Sequence, residues 1–336
     1  MTDSGSLSGK RCALVTGGGR GIGFKICRKL AENEIRVILT DRKQKDAIEA
    51  VEKLKLSGNL DVVSHQLDVK DSASIAAVAN YVKSNFGKLD ILVNNAGASG
   101  LVIAKPQELR SFKDGAGFVI DEHAHLLEGI LEENYELAED CLRTNYYGTK
   151  AVTTELLPLL QLSNSARIVN VSSNYGELKW IYNEKVKAEL NNVETLTEEK
   201  IDEIIKWFLK VYKENNWKAN GWPIVVSPYK ISKAAVSAYT RLLARKYPDM
   251  LINCVHPGYC KTEITSESGP LTPEEGARAP VNNAAAPGIV IAKPQEFRSF
   301  KDGAGFFQVI DENAHLLEEL FVEDYELAED YHRTNY

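Results

Sequence analysis

The sequence predicts an α/β protein: a doubly wound parallel sheet with helices on both faces. Three observations carry that prediction. Short β-branched apolar runs alternate with longer stretches of helical periodicity from residue 11 to residue 257. The runs are apolar almost throughout, as strands buried on both faces are. A glycine-rich turn also lies between the first run and the first helical stretch.

Taken in order, the expected strands are "RCALVT" (11–16), "RVILT" (36–40), "DVVSHQL" (61–67), "DILVNN" (90–95), "RIVNVSS" (167–173) and "LINCVHP" (251–257). Amphipathic stretches separate them, among them "SIAAVANYVKSNF" (74–86) and a long one at 135–161. In sheets of this type a ligand lies outside the carboxyl ends of the strands, and every motif below falls at one of those ends. Two segments interrupt the alternation. The first, 98–134, contains two glycine breaks. The second, 180–222, holds "TLTEEKIDEIIKWFLKVY", where Thr195 or Thr197 can cap a helix whose stripe is Ile201, Ile204, Ile205, Phe208 and Tyr212. That stripe is expected to pack on the core rather than serve as a substrate lid.

Composition narrows the classes of function. The 336 residues are 44% hydrophobic and carry a net charge of −7, with no basic block, so neither nucleic acid nor an anionic membrane is an expected partner. Cysteines 12, 27, 141, 254 and 260 form no CxxC pair and lie in apolar segments, which points to buried thiols in a reducing compartment and to no metal site. The first residues lack an apolar signal core. A soluble cytoplasmic protein is expected.

"VTGGGRGIG" (15–23) joins the first strand to a helix. Gly17 and Gly21 let the backbone turn tightly and approach a pyrophosphate at the helix N-terminus, and Gly23 permits close packing of helix on strand. Ile22 belongs to the same cofactor-binding turn. Strand two ends in Asp41 and Arg42. An acid there suits the ribose hydroxyls of NAD, and an arginine suits the extra phosphate of NADP. Arg20 adds a second positive charge, so NADP is expected over NAD. A carbonyl reduction also needs an acid, and a tyrosine with a lysine four residues on along a helix supplies one. Three such pairs occur: Tyr146–Lys150, Tyr175–Lys179 and Tyr229–Lys233. Only the last lies in the first turns of a helix, opened by Ser227 as cap and Pro228 as first residue, with small residues following. Ser173 ends the fifth strand and either forms a turn or hydrogen-bonds a substrate carbonyl. Asn145 is either a satisfied core amide or the holder of a water.

"TGGGRGIG", "LDV" (67–69), "NNAG" (94–97), Asn145, "NVSS" (170–173), "YKISK" (229–233) and "HPG" (256–258), in this order, resemble the short-chain dehydrogenase/reductase superfamily over residues ~8–277. The long interval between Ser173 and Tyr229 resembles the plant carbonyl-reductase-like group that includes salutaridine reductase, menthone reductase and neomenthol dehydrogenase. The resemblance implies a Rossmann-type fold, a small-molecule carbonyl substrate, NADPH dependence and a monomer. It makes Tyr229 the acid, with Lys233 lowering its pKa and binding the nicotinamide ribose. Ser173 would orient the carbonyl and Asn145 would hold a relay water. Asp68 and Val69 would bracket the adenine, Asn95, Ala96 and Gly97 would line the cofactor, and Pro257, Gly258 and Thr262 would flank its nicotinamide end. Two positions depart from the group: Asp41 stands where a neutral residue is usual, and Pro228 where a small one is.

The chain also repeats itself. Residues 94–146 align with 282–336 across one two-residue insertion, Phe307 and Gln308, and 41 of the 53 paired positions are identical. The second copy enters where the group has a closing seventh strand. It carries no glycine turn and no reactive tyrosine–lysine pair, and its one expected helix lies near 311–332. The reading is a reductase domain over 1–281 followed by a partial duplicate, 282–336, which is not an independent domain, with the last strand replaced. A ketone reductase is therefore expected. The competing expectation is a dinucleotide-binding protein of the same fold with little or no turnover, because of the chimeric C-terminus.

Overall fold

All six expected strands form, in one parallel sheet. The computed structural model describes residues 10–111 and 121–285. The sheet strands are β1 (Cys12–Val15), β2 (Arg36–Asp41), β3 (Val62–Gln66), β4 (Ile91–Asn94), β7 (Arg167–Val171) and β8 (Leu251–Val255), and a two-stranded antiparallel ribbon pairs β5 (Val102–Ile103) with β6 (Leu131–Glu132). The sheet order is β3-β2-β1-β4-β7-β8, with every neighbouring pair parallel. The chain thus starts in the middle, winds to one edge, and returns past β1 to build the other half. That reversal opens a crevice at the carboxyl ends of β1 and β4, where dinucleotides bind in doubly wound sheets.

Alternation along the strands divides the core. Leu14, Ile38, Leu92, Ile168 and Ile252 face one layer, while Ala13, Val15, Val37, Leu39, Ile91 and Val93 face the other. The second layer is covered by α1 (Gly21–Glu32), α2 (Gln44–Leu56) and α11 (Arg278–Ala285). The first is covered by α3 (Ser72–Phe86), α5 (Tyr135–Leu142), α6 (Thr149–Leu160) and α9 (Ser227–Lys246), over which lie α7 (Glu184–Asn191) and α8 (Glu198–Lys213). Two short helices complete the set: α4 (Pro106–Ser111) in the first interrupting segment and α10 (Pro273–Gly276) before α11.

The expected helix over 135–161 forms with one change. Between α5 and α6 the backbone widens into a π-helix over Arg143–Gly148, and Asn145 lies within it. Single π-turns of this kind recur at functional sites, because the extra residue re-aims a side chain without ending the helix.

The second interrupting segment docks on the core as its stripe predicts. Thr197, not Thr195, caps α8 by accepting the amide of Lys200, and Ile201, Ile204, Ile205, Phe208 and Tyr212 are all buried. Polar ties reinforce the apolar contact. The Tyr146 hydroxyl donates to Asp202 at 3.0 Å and Lys150 donates to the same carboxylate at 3.0 Å. The pair Tyr146–Lys150 therefore fastens the insertion to the core, and burial beside Asp202 pushes the Tyr146 phenol up.

At the C-terminal end, α11 runs across the 281/282 junction, so the first four residues of the duplicate continue a helix. Its last carbonyls are capped by two arginines: Arg167 donates to Asn283, and Arg11 to Ala284 and Ala285. The helix expected near 311–332 lies outside the described residues. All five cysteines are free and buried, and no described helix is long and apolar enough to cross a membrane.

Candidate active site

The glycine turn leaves β1 with Thr16 and enters α1 at Gly21. Gly17 and Gly21 have φ of +64° and +55°, a region that only glycine occupies without strain. A Cβ on Gly17 would lie 3.0 Å from the Cα of Ala96, and one on Gly23 would lie 2.2 Å from the carbonyl oxygen of Gly17. The three glycines thus do what the motif predicts: two shape the turn and the third seats the helix. Arg20 occupies the N-cap of α1 with no side-chain cap bond, and the first turn carries no acid. The first amides of the helix are left to meet an anion, and the helix dipole favours one there. These features fit a dinucleotide pyrophosphate.

The crevice wall opposite is Asn95–Ala96–Gly97. Thr16 holds it: its hydroxyl accepts the amides of Asn95 and Ala96, both at 3.0 Å, while the Asn95 amide group donates to the carbonyls of Thr16 and Gly17. Thr16 is a site residue that motif reading missed, although its place inside "VTGGG" was the available signal.

At the adenosine end, Asp41 turns back under the glycine turn, and its Oδ2 accepts the Gly19 amide at 3.2 Å. The Arg42 side chain is exposed and makes no ion pair among the described residues. Arg20 pairs with Glu263 at 2.7 Å, a bridge exposed on both sides. Of the two guanidiniums expected at the ribose, Arg42 thus follows β2, while Arg20 is held loosely by a surface carboxylate next to Thr262. Asp68 closes the turn after β3 by accepting the Lys70 amide at 2.9 Å, and Val69 is buried against Gly148, where a Cβ would lie 2.7 Å from its Cγ2. At the other end Thr262 reaches over Gly21, and Ile22 lies beneath the loop of Pro257 and Gly258, close to Gly276. Of the cofactor residues expected from the sequence, the structure brings the glycine turn against Asn95, Ala96, Asp41 and Thr262, and sets Val69 against Gly148.

The reactive set meets at the carboxyl ends of β7 and β8. Lys233 on α9 donates its Nζ to the Val171 carbonyl at 2.7 Å and lies 5.5 Å from the centre of the Tyr229 ring. Burial pushes the Lys233 ammonium down to about 8. Burial also raises the Tyr229 phenol, with Cys141 adding to the rise and a hydrogen bond from Ser173 opposing it. The expected lowering by Lys233 does not appear in this geometry: burial leads, and the phenol lies above its ordinary value. Ser173 caps the short turn after β7 by accepting the Tyr175 amide at 3.2 Å, so it forms a turn and also faces Tyr229.

Asn145 is 1% exposed and locks the first interrupting segment to the helices. Its Oδ1 accepts the Ala98 amide at 2.7 Å, and its Nδ2 donates to the Ala98 carbonyl and to Ser232 Oγ at 2.8 Å. One lone pair of Oδ1 is left for any further partner. Of the other tyrosine–lysine pairs, Tyr175 packs edge-on against Tyr229 with ring centres 6.2 Å apart, while Lys179 turns away to Glu177.

The start of α9 differs from expectation. Val226 is its cap, with φ +55°, and Ser227 and Pro228 are its first residues. Ser227 is not the cap: it lies inside the helix as its first residue, and its hydroxyl donates to the Pro223 carbonyl at 2.7 Å. Above Tyr229, Leu101, Leu109, Leu127, Leu131, Val225 and Val226 form a small apolar cluster that includes the Tyr229 and Tyr175 rings. Tyr229, Ser173 and the buried Lys233 thus lie together beside this apolar cluster.

Known proteins resemble this chain in sequence and fold. A family profile described as short chain dehydrogenase matches residues 11–188. The chain is 49% identical over 289 residues to short-chain dehydrogenase/reductase 1 of Saponaria officinalis, covering 84% of this chain and 93% of that one. The solved structure of salutaridine reductase from Papaver somniferum superposes with a TM-score of 0.75 at 47% identity, covering 83% of this chain and 96% of that one. Menthone neomenthol reductase from Mentha piperita gives 0.71 at 41% identity, covering 83% and 95%.

Proposed function

This chain belongs to the short-chain dehydrogenase family, and from that premise we propose that it is an NADPH-dependent reductase of a ketone or aldehyde on a small specialised metabolite, of the monoterpenoid or alkaloid kind. The observation that carries the proposal is the meeting of Ser173, Tyr229 and Lys233 under an apolar cluster at the mouth of the glycine-turn crevice. Similarity to salutaridine reductase and menthone neomenthol reductase supports the substrate class.

The cofactor would lie with its pyrophosphate on the first turn of α1 and its adenine between Asp68 and Val69. Its ribose phosphate would lie near Arg20 and Arg42, and its nicotinamide near Pro257, Gly258 and Thr262. Asn95, Ala96 and Gly97 would line the crevice between. When bound, the nicotinamide supplies hydride chemistry. The chain's own residues handle the proton. A raised phenol pKa keeps Tyr229 protonated, the form that an acid needs, and an alkoxide developing on the substrate is a far stronger base than a phenolate. Ser173 donates to the same oxygen and orients it. Lys233 presents a positive charge beside the ring, which stabilises the phenolate left after transfer. Asn145 fixes the Ala98 loop that closes the crevice.

The insertion packed on α6 and α9 covers a face that would otherwise be apolar and open, which supports a monomer. The segment 282–336 is read as a partial duplicate that contributes none of the reactive groups.

The test is Tyr229→Phe, assayed by NADPH consumption with a panel of ketones that includes menthone. Turnover should fall by at least ~100-fold, the scale of lost general acid catalysis, while NADPH binding by fluorescence titration stays within about threefold. Full activity in the variant would move the acid role elsewhere. NADPH binding by the wild-type chain with no turnover across the panel would favour the competing binding-protein reading.

A further inference from the structure

The first turn of α9 is held by a residue on another segment, and the way it is held points to a role. Val226, the residue before the helix, has φ +55° and ψ 31°. A β-branched residue in this left-handed region is a genuine outlier, because its Cγ atoms crowd the backbone. Its amide and that of Ser227 are both accepted by one carboxylate. Val226 donates to Glu133 Oε2 and Ser227 to Glu133 Oε1, each at 3.0 Å. The same Val226 contributes the first carbonyl of the helix, accepting the Lys230 amide at 3.0 Å.

Glu133 stands at a junction. It follows β6, which ends the segment covering the chamber, and it precedes Asn134, which caps α5 by accepting the Leu137 amide at 2.8 Å. Consecutive residues thus cap two helices: Asn134 its own, which runs on to Asn145, and Glu133 the one that bears Tyr229 and Lys233. The carboxylate also places a negative charge at the positive end of a twenty-residue helix. No side chain of α9 does this work, since Ser227 Oγ is turned back to Pro223.

We propose that Glu133 is a positioning residue: it clamps Val226 in the left-handed conformation and thereby sets where Tyr229 stands relative to Ser173. The inference rests on the reductase reading above, in which Tyr229 is the acid. Tyr229 lies three residues beyond the clamped amide of Val226, so relaxing Val226 to an ordinary conformation tilts the first helical turn and moves the phenol. The carboxylate geometry makes the requirement specific. Each N–H meets its own carboxylate oxygen, and glutamine in the same pose would set an NH2 against one of the two donors.

The experiment uses the full chain with Glu133→Gln, Glu133→Ala and the double variant Glu133→Ala/Val226→Gly. The readouts are kcat, KM for menthone, NADPH affinity and amide hydrogen exchange across 224–232. Misplacement of a catalytic group by about 1 Å costs up to roughly 100-fold, so Glu133→Ala should lower kcat by roughly 30- to 100-fold with NADPH affinity within about threefold. Glu133→Gln should fall between it and the wild type, and it decides the matter if Glu133→Ala does not fold. Glycine adopts the left-handed conformation without strain, so the double variant should recover at least about fivefold of the lost kcat. The amides of Val226 and Ser227 should exchange faster in both single variants.

Single-variant kcat within about twofold of wild type would overturn the proposal on the same scale. So would a loss that Val226→Gly does not relieve, since that is the result of a purely electrostatic or general stabilising role. If the wild-type chain reduces no ketone, the reductase reading fails, and unchanged exchange at Val226 and Ser227 would then separately sink the clamp.

Discussion

Replacing Gly23 by alanine probes the crevice without touching any group that takes part in chemistry. The new Cβ would stand 2.2 Å from the Gly17 carbonyl oxygen and 2.5 Å from the Asn95 Nδ2, where ordinary contact begins at 3.4 Å. Neither neighbour can withdraw cheaply. Gly17 is fixed by its φ of +64°, and Asn95 Nδ2 is donating to Thr16 and Gly17 at 3.0 and 3.1 Å. Overpacking of this kind costs about 1–3 kcal/mol, and loosening the two amide bonds adds roughly 1 kcal/mol each. The total is about 3–5 kcal/mol. At roughly 2–4 °C per kcal/mol for a chain of this size, Tm should drop by about 6–20 °C. The shift of Asn95 also deforms the cofactor wall. Thermal melts with and without NADPH check both effects, because a ligand at 100 times its Kd adds about 2.7 kcal/mol to the wild type, and that gain should largely vanish in the variant. Gly58→Ala is the control: its Cβ meets only the Leu60 Cγ, at 3.9 Å, and should leave Tm unchanged. A Gly23→Ala protein with wild-type Tm and a wild-type NADPH response would refute the close-packing argument.

Cofactor preference should follow the charges after β2. Arg42→Ala should lower the NADPH-to-NADH ratio of kcat/KM about tenfold or more, the worth of a charge-assisted bond, and Asp41→Ala should raise it. Stability should fall on acidification through His256, which burial beside Lys233 pushes down to about 4. The unfolded histidine binds its proton near 6.5, so between 6.5 and 4 the unfolded state holds more protons and stability declines as pH falls. At pH 5 the loss is about 2 kcal/mol, and urea melts of wild type and His256→Gln at pH 7 and 5 should show it only in the former. A chain ending at Val281 should be less stable than one ending at Ala285 by about 3 kcal/mol. It strips the carbonyl acceptors from Arg11 and Arg167 and leaves buried guanidinium donors unpaired, a difference that the two melting temperatures would measure.

The parallel sheet was legible because its signal is redundant. Most strands are apolar on both faces and followed by helical periodicity, so a misread residue does not change the element. The glycine turn was legible for a related reason: its place between a first strand and a first helix adds to the glycine spacing, and Gly17 and Gly21 do take positive φ there. Ser173 and Tyr229 could be placed by position, but the electrostatics could not. The lysine four residues on was expected to pull the phenol down, and only coordinates show that burial outweighs it. Glu133 was invisible to motif reading because its partners are backbone amides, which leave no pattern in side-chain types. The cap of α9 was misassigned from a sound rule. Serine before proline usually caps a helix, but here Ser227 is drawn to Pro223 and a distant carboxylate takes its place.

The repeated tripeptide shows how far such rules extend. In "NNA" at 94–96, Asn94 closes β4 and donates to Asn170 and Thr153, while Asn95 and Ala96 take up the Thr16 hydroxyl. In "NNA" at 282–284 the same three residues lie in α11, and their carbonyls cap against Arg167 and Arg11. Intrinsic preference cannot separate the two, since the residues are identical. What differs is the supply of partners. Behind the first copy stands "DILV", a run that pairs with β1 and fixes Asn94 as the next rung; behind the second stands "EEGARAPV", opened by a Thr272–Glu275 capping box that starts a helix. The local structure of each copy is therefore decided by the sequence that precedes it and by the side chains waiting at its end. A duplicated segment carries its composition to a new place, but its structure only where the neighbours are carried with it.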